Sequence, residues 1–562
     1  MTSAIAHPGV LLIAGGLLLA LLKGPVRSAV ALLVPLAALA LAWNAPDGSI
    51  WSGHLFGYEV VPFQADRLSR LFAIIFSLMA FGGALFALNQ PSRLELPAAF
   101  VYAGAAIGVA FAGDLLTVFV FWEVMAIGST LVLWSAGTPA SYRASIRYIM
   151  VHLLGGTLLL IGVAGHAMQT HSLRFSAMEL DGLSHGLILV AFLINAGAPP
   201  LSAWLPDAYP ETSWSGMVFL SAFTTKTAVY VLLRGFPGTE LLVYVGLFMI
   251  FYGIIYALLE NDMRRILAYS IVNQVGFMVV GIGIGTEMAL NGAAAHAFTH
   301  IIYKALLLMS AGAVLHATGQ RKCTDLGGLF RTMPITAACG IVGALAISSF
   351  PFTSGFVSKS MVSQAAASQH LLAVWLLLAA ASAGVFLHAG IKFPWFVFFQ
   401  KDSGLRPAEA PLNMRLAMLF FAALCIVLGI WYEPLYALLP YSAGYVPYTG
   451  AHVVSQLQLL LFSGLAFFVM LPLLRRTLTI TLDTDWFYRV AGRPLVLAAG
   501  GLISAVLQWL TEWRNCARER LTRSARRLHA PGAIFSRTWP AGSSALWMMV
   551  LLLALLVSGY LN

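Results

Sequence analysis

Long apolar runs recur along the whole chain and alternate with short connections rich in Gly, Pro and charged residues. Runs of about 18 to 25 residues suit helices that cross a bilayer, whereas the strands of membrane barrels are segments of about ten residues with alternating polarity. Backbone amides find no water inside a bilayer, so each run must satisfy its hydrogen bonds internally. The pattern predicts an all-α polytopic membrane protein with about 14–16 transmembrane helices.

The limits of the predicted spans follow from Gly, Pro and charged residues between the runs. We place them near 8–22, 28–43, 66–89, 96–113, 115–136, 145–168, 240–259, 264–284, 288–315, 333–349, 370–393, 412–432, 454–474, 494–511 and 543–561, and one further, broken span has its two parts near 184–197 and 215–234. The first run has no basic residue ahead of it and no cleavage site of small residues after it. We therefore expect a first span and not a signal peptide.

Two of the predicted helices contain a break. Prolines interrupt the chain between Ala198 and Pro210, and a polar stretch from Ser348 to Gly355 interrupts the second half. Backbone groups freed at membrane depth need protein or water as partners, so breaks of this kind line cavities. Broken helices in corresponding halves of a transporter predict an inverted repeat around an ion site.

The segment 512–540 is too polar to span the bilayer and predicts an amphipathic helix on the membrane surface. Its apolar face carries Leu521, Ala525 and Leu528. Glu512 and Glu519 oppose a basic cluster made of Arg514, Arg518, Arg520, Arg523, Arg526 and Arg527. The positive-inside rule places this cluster on the cytoplasmic side, beside anionic lipid headgroups.

Composition excludes several classes of protein. Of 562 residues, 60% are hydrophobic and 10% are charged, which excludes a soluble fold. The net charge of +10 resides mostly in the connections, so we expect no nucleic-acid partner. Four separated cysteines lack the spacing of metal or redox motifs, and we find no nucleotide-binding loop. We expect no cofactor and no metal, and any energy must come from ion gradients or from other proteins of a complex.

Lysines inside the apolar runs are the candidates for function. Lys226, Lys304 and Lys359 each fall inside an apolar run, Lys359 in the helix that resumes after the second break. A charged side chain at the bilayer centre costs at least ~2.5 to 3.5 kcal/mol, so it persists only with a partner or hydration. A buried amine can release its proton near neutral pH, whereas an arginine stays charged. Lysines at these positions favour a proton relay.

Glu123 is an acid in the middle of its predicted span. Lys226 follows the first break, and we expect it to be the partner that keeps Glu123 ionised. The alternative is a buried ion pair that only holds two helices together.

Histidines extend the set of titratable groups in the second half. His296, His300 and Lys304 recur every four residues and therefore share one helix face. This stripe favours a hydrated relay over isolated core histidines. Lys392 lies near a helix end beside Trp395, where a side chain that extends to the membrane interface is the expected arrangement.

Arg264 and Arg265 follow an acidic residue between two spans. For these two residues an interfacial salt bridge and a role in the relay both remain open.

Six motifs between about residues 60 and 430 carry a resemblance to a known family. They are Phe121-Trp122-Glu123, Trp204-Leu205-Pro206-Asp207-Ala208, Lys226-Thr227-Ala228, Asp262-Met263-Arg264-Arg265-Ile266-Leu267-Ala268-Tyr269-Ser270, the His296 to Lys304 stripe, and Gly355-Phe356-Val357-Ser358-Lys359. The chain resembles the proton-translocating antiporter-like family. This family comprises the large membrane proteins of complex I, those of membrane-bound hydrogenases, and the two large proteins, A and D, of Mrp sodium/proton antiporters.

The resemblance implies two inverted five-helix repeats, each with a broken helix. The implied organisation has N-terminal transmembrane helices at 1–95, a first repeat at 96–260, a second repeat at 261–400, further transmembrane helices at 401–511, an amphipathic surface helix at 512–540 and a final span at 541–562. Segment 512–540 and the last span are similar to the lateral helix with which some members brace neighbouring subunits.

The resemblance also implies roles for individual residues. Glu123 and Lys226 correspond to a coupling pair, Lys304 to a central relay lysine, and Lys359 to the lysine that leads to the periplasmic exit. The chain differs from the family's motif at Asn195 and Arg264, two positions at which much of the family has lysine. Both are candidate gating residues, and they imply an altered first half-channel.

The expected function is that of a proton-translocating subunit in an Mrp-type cation/proton antiporter of the bacterial inner membrane. The expected partners are other integral membrane subunits, protons, sodium indirectly, and lipid. Three alternatives stay open: a pump subunit of a complex I-like or hydrogenase oxidoreductase, a proton-conducting partner in inorganic-carbon uptake, and a non-conducting scaffold.

Overall fold

The computed structural model describes residues 6–55, 57–472, 483–536 and 538–561. It divides the chain into two compact units, residues 1–485 and residues 486–562. Most of the described residues are helical, as the apolar runs predict.

The N-terminal half of the first unit contains long antiparallel helices. They are α1 (Pro8–Leu21), α2 (Gly24–Trp43), α3 (Arg67–Phe86), α4 (Glu95–Phe111), α5 (Leu115–Trp134), α6 (Pro139–Thr170) and α7 (Leu183–Ala196). Polar N-caps determine where several of them begin, because a side-chain oxygen accepts from the otherwise unpaired amides of the first turn. Asp66 and Ser69 form such a capping box at α3, and Asp114 accepts from the Thr117 amide at α5.

The first interrupted region extends further than the sequence predicts. It contains α8 (Trp204–Ala208), a 3₁₀ turn (Tyr209–Glu211), α9 (Gly216–Leu220) and α10 (Thr224–Gly235). The prediction of one helix near 215–234 is therefore wrong at residues 221–223, where the helix stops and begins again. Lys226 lies directly after this second interruption, in the first turn of α10.

The rest of the first unit repeats the pattern of long helices with an interruption. It comprises α11 (Leu241–Leu259), α12 (Met263–Ile284), α13 (Glu287–Thr318), 3₁₀ turns (Cys323–Asp325, Leu329–Arg331), α14 (Pro334–Ile347), α15 (Ser354–Ser368), α16 (Leu372–Val385), π-helical turns (Phe386–Lys392, Trp395–Phe399), α17 (Leu412–Ile430), α18 (Glu433–Ala437) and α19 (Gly450–Val469). The predicted break after Ser348 separates α14 from α15.

A β-hairpin interrupts the otherwise helical fold, which the all-α prediction did not include. Its strands β1 (Gly48–Leu55) and β2 (Tyr58–Ala65) pair antiparallel. Gly57 in the turn has φ +84°, a conformation that glycine adopts without strain. The hairpin packs its Phe63 ring against His7 and Phe111, so it closes one end of the helix bundle.

The second unit contains a π-helical turn (Phe487–Ala491), α20 (Gly492–Leu528) and α21 (Ala541–Leu561). The predicted boundary between a span at 494–511 and a surface helix at 512–540 does not appear as a break. Helix α20 runs through residue 512, because no Gly or Pro interrupts the sequence there, and it ends at Leu528 and not at 540.

Twelve helical segments of the described chain are long and apolar enough to cross a membrane, and four shorter apolar helices accompany them. Together they fall within the predicted range and confirm a polytopic membrane protein. Helices α12 and α13 are surrounded by protein on nearly all sides, whereas α2 and α19 expose most of their surface. The centre of the first unit therefore lies around α10, α12 and α13.

Contacts between helix ends define two faces of the first unit. On one face, the start of α4 contacts segment 213–215, the start of α12 contacts segment 210–213, and the start of α17 contacts the end of α3. We call it the Arg-rich face because it carries Lys23, Arg27, Arg93, Arg143, Arg147, Arg264, Arg265, Arg321, Lys322, Arg331, Lys401, Arg406 and Arg415. The opposite face carries Arg67, Arg70, Arg174 and Arg234.

We expect Gly276→Ala to destabilise the packing of α11 on α12. A Cβ at Gly276 would lie 2.7 Å from the Gly246 carbonyl oxygen and 2.9 Å from the Ile250 amide nitrogen, so the helices would have to separate. Overpacking of this kind costs about 1–3 kcal/mol. The measurement is the temperature at which detergent-solubilised protein loses its monodisperse state. Gly500→Ala is the control, since a Cβ there meets no atom within 4 Å. Equal temperatures for both variants would contradict the close approach of α11 and α12 at Gly276.

Candidate functional site

Five predicted site residues lie together in the centre of the first unit. Lys226 comes from α10, the stripe His296, His300 and Lys304 from α13, and Lys359 from α15. Each side chain is at most 2% exposed. The structure thus brings both interrupted helices to α13, the helix that carries the stripe of His296, His300 and Lys304.

Lys226 is held by the interruption between α9 and α10. Its Nζ donates to the carbonyl oxygen of Ser221 at 2.7 Å and to Thr225 Oγ1 at 3.1 Å. A carbonyl inside a continuous helix would be occupied by an amide four residues later. The interruption therefore supplies an acceptor for the ammonium group.

Lys304 and His300 have different surroundings although they lie one turn apart. Lys304 Nζ donates to Ser270 Oγ at 2.9 Å and to the Leu267 carbonyl oxygen at 3.3 Å, both on α12. Neither ring nitrogen of His300 has a hydrogen-bond partner within the described residues. Buried polar groups almost always have partners, so an unpaired imidazole marks a place for water or for a transferred proton.

His296 lies in a network of neutral polar groups. Its Nε2 is 3.1 Å from Gln274 Oε1, and its Nδ1 is 3.2 Å from Ser358 Oγ. Ser358 Oγ is also 2.8 Å from Thr299 Oγ1, and the Tyr303 hydroxyl donates to Gln274. Gln274 Oε1 can only accept, so this contact needs the tautomer with its proton on Nε2, and the Ser358 hydroxyl can then donate to Nδ1.

Lys359 has no hydrogen-bond partner for its Nζ among the described residues. The Nζ lies 4.1 Å from the centre of the Phe277 ring. A cation–π contact with a desolvated ammonium contributes on the order of 2 kcal/mol, which is small beside the hydration that the ammonium loses on burial. Lys359 is therefore the least satisfied of the three buried lysines.

Two further basic residues continue this arrangement along the π-helical turn after α16. His388 Nδ1 is 2.8 Å from the Gly384 carbonyl oxygen, and its Nε2 lacks a partner in the described part of the chain. Lys392 Nζ donates to the carbonyl oxygens of Ala257, Leu258 and Glu260 at the end of α11. The prediction that Lys392 extends to the interface is wrong, because its side chain is buried against these free helix-end carbonyls.

These buried lysines and histidines lie close enough for their positive charges to repel one another. We call this set the basic row: Lys226, Lys304, His300, His296, Lys359, His388 and Lys392. The positive charge of Lys304 repels that of Lys226, and both lysines repel a proton on His300. Lys359 likewise opposes a proton on His296. A proton on His388 is opposed by Lys304, Lys392 and Lys359. Within the described ranges no carboxylate forms an ion pair with Lys226, Lys304 or Lys359. Simultaneous protonation along the row is therefore opposed by repulsion.

Glu123 stands apart from the basic row. Its carboxylate packs against Gly156 of α6, where a Cβ would overlap Oε1. No ion pair joins Glu123 to Lys226 in the described structure, and Oε1 lacks a hydrogen-bond partner there. The expected Glu123–Lys226 contact is absent because Lys226 bonds to the carbonyl oxygen of Ser221 and Glu123 faces α6.

The two candidate gating residues have defined partners. Asn195 Oδ1 is 2.8 Å from His152 Nδ1 and packs beside Gly155, the neighbour of the glycine that faces Glu123. Arg264 is 2% exposed and donates to the carbonyl oxygens of Pro210, Thr212 and Ser213 at 2.7–2.9 Å. Arg264 thereby fixes the irregular segment between α8 and α9. Arg264 is therefore a buried side chain that holds backbone carbonyls and does not form a surface salt bridge within the described residues. Its role in the relay stays a prediction.

Sequence reasoning missed His388 and the carboxylate of Glu95. His388 and Lys392 repeat the four-residue spacing of the stripe on α13, which was a usable signal. Glu95 directly precedes a predicted span and gave no such signal. In the structure it is the first residue of α4 and is fully buried.

The chain is similar to known membrane proteins in sequence and in fold. The family model described as NADH:quinone oxidoreductase/Mrp antiporter, TM, matches residues 112–386. The D component of the Na(+)/H(+) antiporter of Alkalihalophilus pseudofirmus is 29% identical over 415 residues, which cover 70% of this chain and 83% of the relative. The N component of the NADH-quinone oxidoreductase of Desulforudis audaxviator is 30% identical over 368 residues, covering 60% of this chain and 73% of the relative.

Two solved structures share the fold, each at 24% sequence identity. A chain of the Mrp complex from Dietzia sp. DQ12-45-1b superposes with a TM-score of 0.69 over 80% of this chain and 98% of its own length. A chain of the membrane-bound sulfane sulfur reductase, an archaeal respiratory membrane complex, superposes with a TM-score of 0.71 over 98% and 99%. With these matches the predicted family is confirmed, and the chain belongs to the NADH:quinone oxidoreductase/Mrp antiporter family of membrane proteins.

Proposed function

We propose that this chain is the proton-translocating membrane subunit of a multisubunit cation/proton antiporter of Mrp type. The observation that carries the proposal is the basic row, in which His300 and Lys359 are buried without hydrogen-bond partners among the described residues. The similarity to the antiporter protein of Alkalihalophilus pseudofirmus over 83% of that relative supports the choice of an antiporter.

A proton would move along the basic row by successive occupation of neighbouring sites. Burial favours the neutral form of an amine or imidazole, and a proton on one member disfavours a proton on the next. A proton that enters at Lys226 would therefore promote release from Lys304 toward His300 and His296. The unpaired nitrogens of His300 and Lys359 are the positions at which water would complete the path.

In this proposal, Glu123 controls whether Lys226 holds or releases its proton. In the structure its carboxylate is apart from Lys226, which bonds to the Ser221 carbonyl instead. Formation of the Glu123–Lys226 pair in a second state would favour the charged lysine, and its separation would release the proton. Asn195 lies on the same α6–α7 interface and would govern access to Glu123. Arg264 would gate the entrance by its fixed charge.

The charge asymmetry of the first unit gives an orientation. Loops that carry an excess of Lys and Arg face the cytoplasm. The Arg-rich face would therefore lie on the cytoplasmic side of the bacterial inner membrane. Lys359 would connect the basic row to the periplasmic side, and neighbouring membrane subunits would cover exposed helices of the bundle.

A second candidate is a subunit of a respiratory oxidoreductase. The chain of the archaeal respiratory complex matches 98% of this chain, against 80% for the chain of the Mrp complex. Because this match extends over nearly the whole chain, it favours a complex whose corresponding subunit also contains a C-terminal unit. In that setting the basic row would be driven by electron transfer in other subunits.

We expect Lys359→Ala to reduce proton transport by the assembled complex at least about tenfold, as loss of a positioned proton-transfer group does. The Lys359 ammonium has no hydrogen-bond partner among the described residues, so its removal leaves no donor or acceptor unpaired there. The measurement is the initial rate of proton movement in proteoliposomes. Lys23→Ala is the control, because Lys23 is exposed on the Arg-rich face. Wild-type transport by fully assembled Lys359→Ala complex would refute the assignment of the basic row.

We expect sodium-driven proton movement from the native complex purified through a tag on this chain. Its other subunits are identified by mass spectrometry, and the flux is recorded with wild type and Lys226→Ala. Antiporter subunits together with a sodium response that Lys226→Ala abolishes would support the antiporter. Redox subunits and no sodium response would contradict it and select the respiratory candidate.

A further inference from the structure

Glu95 lies in a pocket of hydroxyl groups at the Arg-rich face. Ser135 Oγ donates to its carboxylate at 3.0 Å and Ser213 Oγ at 2.6 Å, and Ser215 Oγ donates as well. Gln90 Nε2 in turn donates to Ser215 Oγ at 2.7 Å. The Glu95 residue is 0% exposed, so this carboxylate depends entirely on its neighbours for stabilisation.

The surroundings of Glu95 differ from those of two other buried acids. Asp262 forms an ion pair with Arg321 at 2.8 Å, and Asp114 accepts from the backbone amides of Val61 and Thr117. Both environments contain donors that cannot become acceptors. Serine hydroxyls can rotate to donate or to accept. The pocket therefore accommodates Glu95 both as a carboxylate and as a carboxylic acid.

Arg264 is the charged group that faces this pocket from another helix. It does not bond to Glu95 directly. Ser213 links the two, because its carbonyl oxygen accepts from Arg264 Nη2 at 2.7 Å and its hydroxyl donates to Glu95. The remaining described side chains that hydrogen-bond to Glu95 or to its serine partners are the neutral groups of Gln90, Ser135 and Ser215. The arginine thus stabilises the ionised acid at a distance without locking it in an ion pair.

The Glu95 pocket borders solvent on one side, and polar groups beside the first turn of α10 lie deeper along the same helix. Ser135 and Ser213 are partly exposed at the Arg-rich face. Tyr102 lies seven residues along α4 and therefore on the same helix face, about 10 Å deeper at 1.5 Å per residue. The Tyr102 hydroxyl is 2.6 Å from Thr224 Oγ1, and Thr224 stands two residues before Lys226 at the interruption.

We propose that Glu95 is the proton-accepting residue at the entrance from the Arg-rich face to Lys226. The inference rests on the proposed function. A proton from water binds a Glu95 carboxylate oxygen, and the serine hydroxyls rotate to accept from the resulting acid. Glu95 then releases the proton through water and the hydroxyls of Tyr102 and Thr224 to neutral Lys226. Each hydroxyl accepts one proton and donates another, so the path regains its initial state apart from hydroxyl orientation.

The first test is Glu95→Gln in the native complex reconstituted into proteoliposomes. Glutamine keeps the size and a hydrogen-bonding oxygen but does not titrate. We expect the initial rate of proton movement per assembled complex to fall at least about tenfold and to lose its pH dependence. Asp402→Asn is the matched control, an exposed acid on the same face, and should leave both quantities unchanged.

Glu95→Asp distinguishes titration from a structural role. Aspartate keeps an ionisable group in a pocket with altered geometry, so transport should persist with a shifted pH of half-maximal rate. A purely structural Glu95 would lower the amount of assembled complex in both variants and leave the rate per complex and its pH profile unchanged. That result would overturn the inference.

Lys226→Ala, measured in parallel, separates the inference from the function on which it rests. Wild-type rate and pH profile in Glu95→Gln, together with loss of transport in Lys226→Ala, would refute the entrance and leave the basic row in place. Wild-type transport in Lys226→Ala would refute the proposed function itself.

Discussion

The cost of placing an ammonium group inside a bilayer protein constrains the whole structure. Each buried lysine needs oxygen atoms in place of water, and the carbonyls of an uninterrupted helix already accept from amides four residues later. Lys304 shares one such carbonyl, that of Leu267, and adds the Ser270 hydroxyl. Lys226 takes a carbonyl at the α9–α10 interruption, and Lys392 takes three at the end of α11. Lys359 is the exception, since it has no hydrogen-bond partner among the described residues and lies over an aromatic ring. Lys226 and Lys392 therefore depend on backbone carbonyls that an interruption or a helix end leaves without an amide partner.

The tightly packed helices around the basic row keep these oxygen atoms in place. Lys304 depends on Ser270 and Leu267 of α12, and α12 is held against α11 by glycines that allow the backbones to approach within van der Waals contact. Separation of α11 from α12 would leave α12 unsupported on the side that carries Gly276 and would loosen the position of Ser270. Packing at the α11–α12 contact therefore contributes to the hydrogen bonds of the central lysine.

The sequence was sufficient for the spans, the stripe on α13 and the positions of the lysines, because these depend on local composition and helical period. It was insufficient where tertiary contacts decide. The interruption at residues 221–223 contains neither Gly nor Pro, and it exists where Lys226 takes the Ser221 carbonyl. The partner expected for Glu123 was chosen by charge alone, and Gly156 of another helix determines where its carboxylate lies.

Electrostatics explains why an acid is suited to the entrance of a path made of bases. The basic row repels an incoming proton, and the fixed charge of Arg264 at the Arg-rich face adds to that repulsion. A carboxylate beside Arg264 offsets this field, but an acid in a direct ion pair would hold its proton too weakly to serve as a carrier. Ser213 separates the two charges and contacts both of them. The separation leaves Glu95 attractive to protons and still able to release them toward Lys226.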